Sequence, residues 1–158
     1  MTGSMLITGG RVIDPSQNLD TIADVVVTDG KIASVTPRKG SGAPAAKSPH
    51  TIDASGKIVC PGLIDMHVHL REPGNEDEET IASGSHAAVA GGFTSIACMP
   101  NTQPAIDTEA MIEFVYRQAA RAAKCNVYPI GAITKGREGK ELAEMGQMVR
   151  AGAVAFSD

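Results

Sequence analysis

Two histidines and an arginine lie at every second position of one apolar segment. His67, His69 and Arg71 fall within the stretch GLIDMHVHLREPG at positions 62–74. The apolar beginning and the Pro-Gly ending are typical of a buried strand that leads into a loop. Because strand side chains alternate between faces, we expect these three to point the same way. Two imidazoles on one face can bind one metal ion, and the arginine fork can bind a carboxylate at the mouth of the strand.

The same histidines have a structural interpretation. A single histidine on an apolar strand is more often a packed core residue than a ligand, and His-x-His is a short pattern that also occurs outside metal sites. Two histidines on one face, followed by an arginine that is costly to bury unpaired, favour the metal site. Asp65 shares the parity of His67 and either orients a ligand or serves as a buried structural partner.

The composition excludes several classes of partner. The net charge is −4 and no basic stripe is visible, so nucleic acid and anionic membranes are not expected partners. The sequence has neither an apolar run long enough to cross a membrane nor a secretory signal at its start. Cys60, Cys98 and Cys125 are odd in number and fit no metal-binding spacing, which indicates reduced thiols. We therefore expect a cytoplasmic protein.

Residues 1–60 predict a small β-domain with no catalytic signature of its own. Gly9-Gly10 and Asp29-Gly30 each separate two β-prone runs and predict two-residue hairpins, the second as a type I′ turn. Residues 51–53 and 57–59 predict two further short strands. The stretch Pro37 to Pro49 is rich in Pro, Gly, Ala and Ser and predicts a loop.

Residues 61–158 change to an alternation of strands and helices. After the strand that carries the histidines, strands are predicted at 94–99, 126–131 and from 153 onward. Helices are predicted at 78–90, capped by Asn75 or Asp77, at 108–124, capped by Asp107, and at 138–151. The third helix is predicted from the helical spacing of Leu142, Met145 and Val149.

This alternation predicts an α/β fold with a parallel sheet and right-handed crossovers. An open doubly wound sheet and a TIM-type (β/α)8 barrel both fit the pattern. Polar residues at the carboxyl ends of successive strands favour the barrel, where active sites lie at that end. Only four such strands are present, so residues 61–158 predict the first half of a barrel. We expect a half barrel to expose strand edges and an apolar face that a partner or second copy covers.

Three motifs together resemble one enzyme family. The stretch His-Val-His-Leu-Arg-Glu-Pro-Gly at 67–74 resembles the first metal-binding motif of the dihydroorotases, which belong to the amidohydrolase superfamily. The stretches at 98–102, Cys-Met-Pro-Asn-Thr, and at 152–158, Gly-Ala-Val-Ala-Phe-Ser-Asp, resemble later motifs of the same family in the same order. Hydantoinases and allantoinases share His-x-His but usually lack this continuation together with Met-Pro-Asn-Thr.

The resemblance implies roles for five residues. His67 and His69 would bind the more buried metal, and Asp158 would be the catalytic carboxylate that bridges two metals. Arg71 and Asn101 would hold the free carboxylate of the substrate. Zinc suits such ligands, as one or two ions, and manganese or cobalt also fits. Without the resemblance, Asn101 equally fits a turn residue after proline and Asp158 a solvent-exposed carboxylate.

The resemblance also implies a reaction and an assembly. It implies reversible interconversion of dihydroorotate and N-carbamoyl-aspartate in de novo pyrimidine biosynthesis, and an N-terminal segment that is half of a β-sandwich. The family places further metal ligands and a proton-shuttling aspartate after Asp158, so we expect the isolated chain to be inactive or dependent on a partner. Expected partners are a second copy, the missing C-terminal part, or aspartate carbamoyltransferase. A non-catalytic scaffold and a hydantoinase- or allantoinase-like amidase remain alternatives.

Overall fold

The computed structural model describes residues 3–38, Ser48 and residues 50–158. The chain divides into two compact units, Met1–Pro61 and Gly62–Asp158. In the described ranges, no helix combines the length and the apolarity needed to span a membrane. Most of the loop predicted from Pro37 to Pro49 lies outside the described residues.

The described part of the first unit is a five-stranded sheet around a small apolar cluster. Its strands are β1 (Ser4–Asp14), β2 (Leu19–Thr28), β3 (Lys31–Pro37), β4 (His50–Asp53) and β5 (Ile58–Val59). The order is β3-β2-β1-β4, with β5 also paired to β1, and both β4 and β5 run parallel to β1. Val12, Ala23 and Val25 form the buried centre. The second layer of the predicted β-sandwich stays a prediction.

The turn at Asp29-Gly30 is confirmed. The two residues have positive φ angles of 51° and 76°, as a type I′ turn requires, and they join the antiparallel strands β2 and β3. Glycine tolerates this backbone region at no steric cost, and aspartate tolerates it better than most residues do.

The hairpin predicted at Gly9-Gly10 is wrong. The chain continues straight through as β1, with a register shift against β2 between Ile7 and Gly10. Gly9 takes a positive φ of 72°, and its amide donates to the carboxylate of the buried Asp24 at 3.0 Å. The glycine pair is therefore a β-bulge held by an internal carboxylate, and the chain reverses later, through a 3₁₀ turn at Pro15–Gln17.

The second unit is a parallel sheet with helices in its crossovers. The strands are β6 (Leu63–Val68), β7 (Phe93–Cys98), β8 (Asn126–Ala132) and β9 (Ala155–Ser157), and the helices are α1 (Ile81–Ala90), α2 (Glu109–Ala122) and α3 (Met145–Ala151). The spatial order β6-β7-β8-β9 equals the order along the chain. In a doubly wound sheet the spatial order of the strands reverses at one point, whereas in a barrel it follows the chain, so this order follows the barrel pattern. Ile96, Ile112, Val115 and Met148 are central to its core.

Two helices begin later than predicted. For α1, Asn75 and Asp77 are not the cap: Thr80 accepts from the amide of Ser83 and starts the helix at Ile81. The predicted start of α3 at residue 138 is also wrong, because Gly139 adopts a positive φ of 69° and the helix begins only at Met145. Consequently Leu142 and Val149 are exposed, and Met148 is the residue buried in the core.

Candidate metal and carboxylate site

The carboxyl end of β6 carries the two histidines. His67 is the second-last residue of β6, and His69 follows the end of the strand at Val68. Their ring centroids are 5.2 Å apart, and the ring planes make an angle of 64°. Both side chains are exposed to solvent. The expected common face therefore holds for the two imidazoles, which are close enough to approach one small ion together.

Asn101 fixes the orientation of the second imidazole. This asparagine follows β7, the neighbouring strand, and its Oδ1 lies 2.8 Å from Nδ1 of His69. A carbonyl oxygen only accepts, so this contact selects the tautomer of the neutral ring with the proton on Nδ1 and the lone pair on Nε2. Metal-binding histidines are commonly held in this way through the ring nitrogen that does not face the metal.

Asp65 lies against the main chain of the first histidine. Its Oδ1 accepts a hydrogen bond from the backbone amide of His67 at 3.0 Å. The carboxylate thus braces the main chain at the end of the strand, and it is partly buried, not the fully buried partner considered from the sequence.

Arg71 leaves the strand geometry. Its φ of 59° lies in the left-handed region, so the alternation that relates the two histidines does not extend to it. Its Nε forms a salt bridge of 3.3 Å with Oε2 of Glu78, and its side chain is one-third exposed. Because Nε makes this contact, the two terminal nitrogens are the atoms with which the guanidinium would meet a second carboxylate.

Backbone hydrogen bonds join the loop that carries Arg71 to the loop that carries Asn101. The amide of Met99 donates to the carbonyl of Val68, and the amide of Gln103 donates to the carbonyl of Pro73, both at 2.9 Å. A Cβ on Gly74 would lie 2.2 Å from the carbonyl oxygen of Gln103. Only glycine permits this approach, so the two loops form one packed rim.

Asp158 is hydrogen-bonded to the loop that follows β8. It follows β9, and its Oδ1 accepts from the amides of Ile133 and Thr134 at 3.0 and 3.1 Å. Its Oδ2 accepts from the hydroxyl of Thr134 at 2.6 Å. The Thr134 hydroxyl, followed by these amides, lowers the pKa of the Asp158 carboxyl below its ordinary value.

The structure therefore brings together some of the predicted site residues and leaves others apart. His67, His69 and Asn101 are adjacent, and Arg71 lies in the loop that immediately follows them. Within the described ranges, no three His, Cys, Asp or Glu side chains are grouped as a metal site. Asp158 is accordingly not part of a cluster with the two imidazoles in this structure.

Sequence reasoning missed two residues that organise these loops. Thr134 binds Asp158 across two strands, a contact that only the strand order reveals. Glu72 connects its loop to two helices. Its signal in the sequence is its place in the motif at 67–74, where no separate role was assigned to it. Cys98, at the end of β7, is buried, and this burial raises the pKa of its thiol to about 12, so the thiol is protonated near neutral pH.

Comparisons with known proteins agree with this architecture. A sequence model of the family described as dihydro-orotase-like matches residues 56–158. Proteins named dihydroorotase from Solibacter usitatus and Trichlorobacter lovleyi are 57% and 54% identical to this chain over 154 and 155 residues. Each alignment covers 98% of this chain but only 35% and 36% of the relatives, so the chain spans about a third of their length.

Solved structures of hydantoinases are also similar. The L-hydantoinase (dihydropyrimidinase) of Arthrobacter aurescens matches 98% of this chain and 32% of its own, with a TM-score of 0.79 and 29% identity. A D-hydantoinase (dihydropyrimidinase) from Thermus sp. matches 92% of this chain and 30% of its own, with a TM-score of 0.60 and 27% identity.

Proposed function

Because this chain belongs to the dihydro-orotase-like family, we propose that it provides part of the active site of a metal-dependent cyclic amidohydrolase. The proposed reaction is the reversible interconversion of dihydroorotate and N-carbamoyl-aspartate. The observation that carries the proposal is the imidazole pair at the end of β6, with one ring oriented by Asn101 and an arginine in the next loop.

The donor set of the imidazole pair fits a divalent metal such as zinc. Zinc takes neutral imidazole nitrogens, and the bond between His69 and Asn101 leaves Nε2 of that ring as the available donor. His67 would supply the second nitrogen. Asp158 could add Oδ2, which accepts a single hydrogen bond from Thr134 and retains a lone pair, although it is not grouped with the histidines in this structure. When bound, such a metal makes water a stronger acid and polarises the carbonyl under attack.

Arg71 and Asn101 are the proposed contacts for the carboxylate of the substrate. The terminal nitrogens of Arg71 offer a forked pair of donors, and the amide nitrogen of Asn101 offers a neutral donor on the same rim. Since Oδ1 of Asn101 is engaged by His69, its Nδ2 is the group that would face the substrate. A carboxylate held there would keep the ring in a fixed orientation relative to the imidazole pair.

A hydantoinase-like activity is the second candidate. It is favoured by the hydantoinase structures, one of which matches nearly the whole chain. Hydantoin rings carry no carboxylate at the position where dihydroorotate has one, so Arg71 would have no charged partner in that substrate. Relative kcat/KM for dihydroorotate and for a hydantoin therefore distinguishes the two activities.

The decisive experiment measures dihydroorotate ring opening with the protein purified from its native host, any bound polypeptide retained. His67→Ala should abolish turnover, Arg71→Ala should raise KM, and His86→Ala, an exposed histidine on α1, should match the wild type. Equal activity in the wild type and all variants would contradict the proposal. Absence of both metal and turnover in the wild type would instead support a non-catalytic scaffold.

Assembly and location stay predictions. Exposed apolar side chains on β6, such as Ile64 and Met66, fit an edge that another polypeptide covers, whether a second copy, a C-terminal part or aspartate carbamoyltransferase. The β-sandwich partner of the first unit and a cytoplasmic location belong to the same proposal.

A further inference from the structure

Glu72 occupies a central position in the loop between β6 and α1. Its Oε2 accepts from the backbone amide of Ile81 at 2.8 Å, and its Oε1 accepts from Nε2 of Gln118 at 3.0 Å. Its own amide donates to the carbonyl of Leu70 at 2.7 Å. One half-buried carboxylate thus bonds the first residue of α1 and the side chain of a residue on α2.

Both helix partners are well anchored. Ile81 opens α1, where backbone amides lack partners inside the helix, and its side chain is only 1% exposed. A carboxylate is favourable at this helix end, because the helix dipole places partial positive charge there. Gln118 is on α2 three residues after Val115, which is fully buried in the core. The carboxylate therefore ties the loop to two rigid elements.

The neighbour of Glu72 is the residue that needs such support. Arg71 is not glycine, yet it adopts a left-handed backbone with φ of 59°. This conformation is uncommon for residues other than glycine, because their Cβ crowds the backbone, so surrounding contacts are needed to favour it. Leu70, on one side, is buried with 4% exposure, and Glu72, on the other side, is bonded to both helices. These two anchors bracket Arg71.

We propose that Glu72 is a positioning residue that holds Arg71 in the orientation needed to bind the substrate carboxylate. The functional part of this proposal, binding of the substrate carboxylate, rests on the proposed function of Arg71. The structural part, the attachment of the loop by Glu72, rests on the hydrogen bonds alone. Loss of Glu72 should release the arginine and weaken substrate binding while leaving the imidazole pair and its partner Asn101 in place.

Three variants and one control separate positioning from general stability. Glu72→Ala removes both contacts, and Gln118→Ala removes one. Glu72→Gln keeps an acceptor for Ile81 and can form an amide pair with Gln118, so it is the conservative rescue variant. Asp77→Ala is the matched control, because Asp77 is an exposed acidic residue of the same loop.

The test combines kinetics with two readouts on the loop. In Glu72→Ala, KM for dihydroorotate should rise about tenfold, as expected for losing a charge-assisted contact, while kcat stays within about threefold. Amide exchange across residues 69–81 and modification of Arg71 by phenylglyoxal should both accelerate. Glu72→Gln should restore most of KM, Gln118→Ala should be intermediate, and Asp77→Ala should match the wild type.

Each failure has a separate meaning. Unchanged amide exchange in Glu72→Ala overturns the proposal, and so does faster exchange with unchanged KM. If the wild-type protein, purified from its native host with any bound polypeptide retained, does not turn over dihydroorotate, the proposed function fails and the hold on Arg71 is judged by phenylglyoxal. Faster modification in Glu72→Ala then supports the positioning role, and an unchanged rate overturns it.

Discussion

The carboxyl ends of β6 and β7 use their polar side chains differently from those of β8 and β9. After β6 and β7, two exposed imidazoles lie side by side and an asparagine engages only one ring nitrogen. After β8 and β9, the carboxylate of Asp158 accepts three hydrogen bonds from Ile133 and Thr134. The ends of β6 and β7 therefore present imidazole nitrogens that are still able to bind a ligand. The ends of β8 and β9 use the carboxylate of Asp158 largely to join neighbouring loops.

This difference teaches which residues the chain prepares for a ligand. A ligand atom needs a lone pair that is held in direction and not already used. Nε2 of His69 meets that condition, since its ring is oriented through the opposite nitrogen. Of the two carboxylate oxygens of Asp158, only Oδ2 meets the condition in part, because it accepts one hydrogen bond whereas Oδ1 accepts two. We therefore expect metal binding to depend more on the histidines than on the aspartate.

The largest expected effect comes from removing both imidazoles. His67→Ala combined with His69→Ala should lower zinc affinity by more than about 100-fold. Removal of a residue that only hydrogen-bonds to a metal ligand already lowers affinity by about 10- to 100-fold, and removal of the ligands themselves should lower it more. Competition with a chromophoric chelator measures the affinity, and His86→Ala controls for loss of any exposed histidine. If Asp158→Asn reduces zinc affinity as strongly as the double variant, the contrast between the two pairs of strand ends is broken.

The next effect concerns the carboxylate contact at Arg71. Arg71→Ala should raise KM for dihydroorotate by about 10- to 150-fold, since a hydrogen bond to a charged group contributes about 1.5–3 kcal/mol. Arg71→Lys should recover only part of this, because lysine keeps the charge but not the fork. Steady-state kinetics give both values, and full recovery by lysine would argue against a forked contact.

A smaller effect separates the two functions assigned to Asn101. Asn101→Leu removes the acceptor for His69 and should lower zinc affinity by about 10-fold. Asn101→Asp keeps an acceptor, so zinc affinity should be retained while KM rises, because a carboxylate now faces the carboxylate of the substrate. Chelator competition and kinetics on the same preparations test the split; equal zinc affinity in wild type and Asn101→Leu would remove the orienting role.

The smallest effect is a pH dependence of stability from Asp158. Its pKa is lower in the folded protein than its ordinary value of 3.8, so its ionised form stabilises the fold above that value. This contribution is lost as pH falls through the lowered pKa. The difference in Tm between wild type and Asp158→Ala should therefore be largest near neutral pH and vanish in strong acid.

Thermal unfolding followed by circular dichroism across that pH range checks the Asp158 prediction. Thr134→Val should reduce the same difference, because the Thr134 hydroxyl is the main cause of the pKa shift. A difference in Tm that persists unchanged in strong acid would show that the aspartate stabilises through packing and not through charge.

Much of the architecture follows from local patterns. The strand that leads to His67 and His69, the turn at Asp29-Gly30 and the alternation of parallel strands with helices could be predicted, because each depends on alternation, turn chemistry or connection length. The same reasoning failed at Gly9-Gly10. A bulge and a hairpin call for the same residues, and the distinction depends on Asp24, which is distant in sequence and close in space.

Contacts between strand-end loops could not be predicted from local patterns. Asp107 was expected to cap α2, but its Oδ2 accepts from the amide of Gly136 at 2.8 Å, in the loop after β8. The bond between His69 and Asn101 has the same origin, since the residues are 32 positions apart. The type of each polar residue is visible in the sequence, whereas its partner is fixed by the packing of neighbouring loops.

The most direct test of the central claim is the zinc X-ray absorption spectrum of the purified protein. We predict imidazole scattering around the zinc in the wild type, and a loss of two imidazoles from that shell in the variant that combines His67→Ala with His69→Ala. A spectrum identical in wild type and double variant, or a bound zinc without imidazole ligands, would contradict the account.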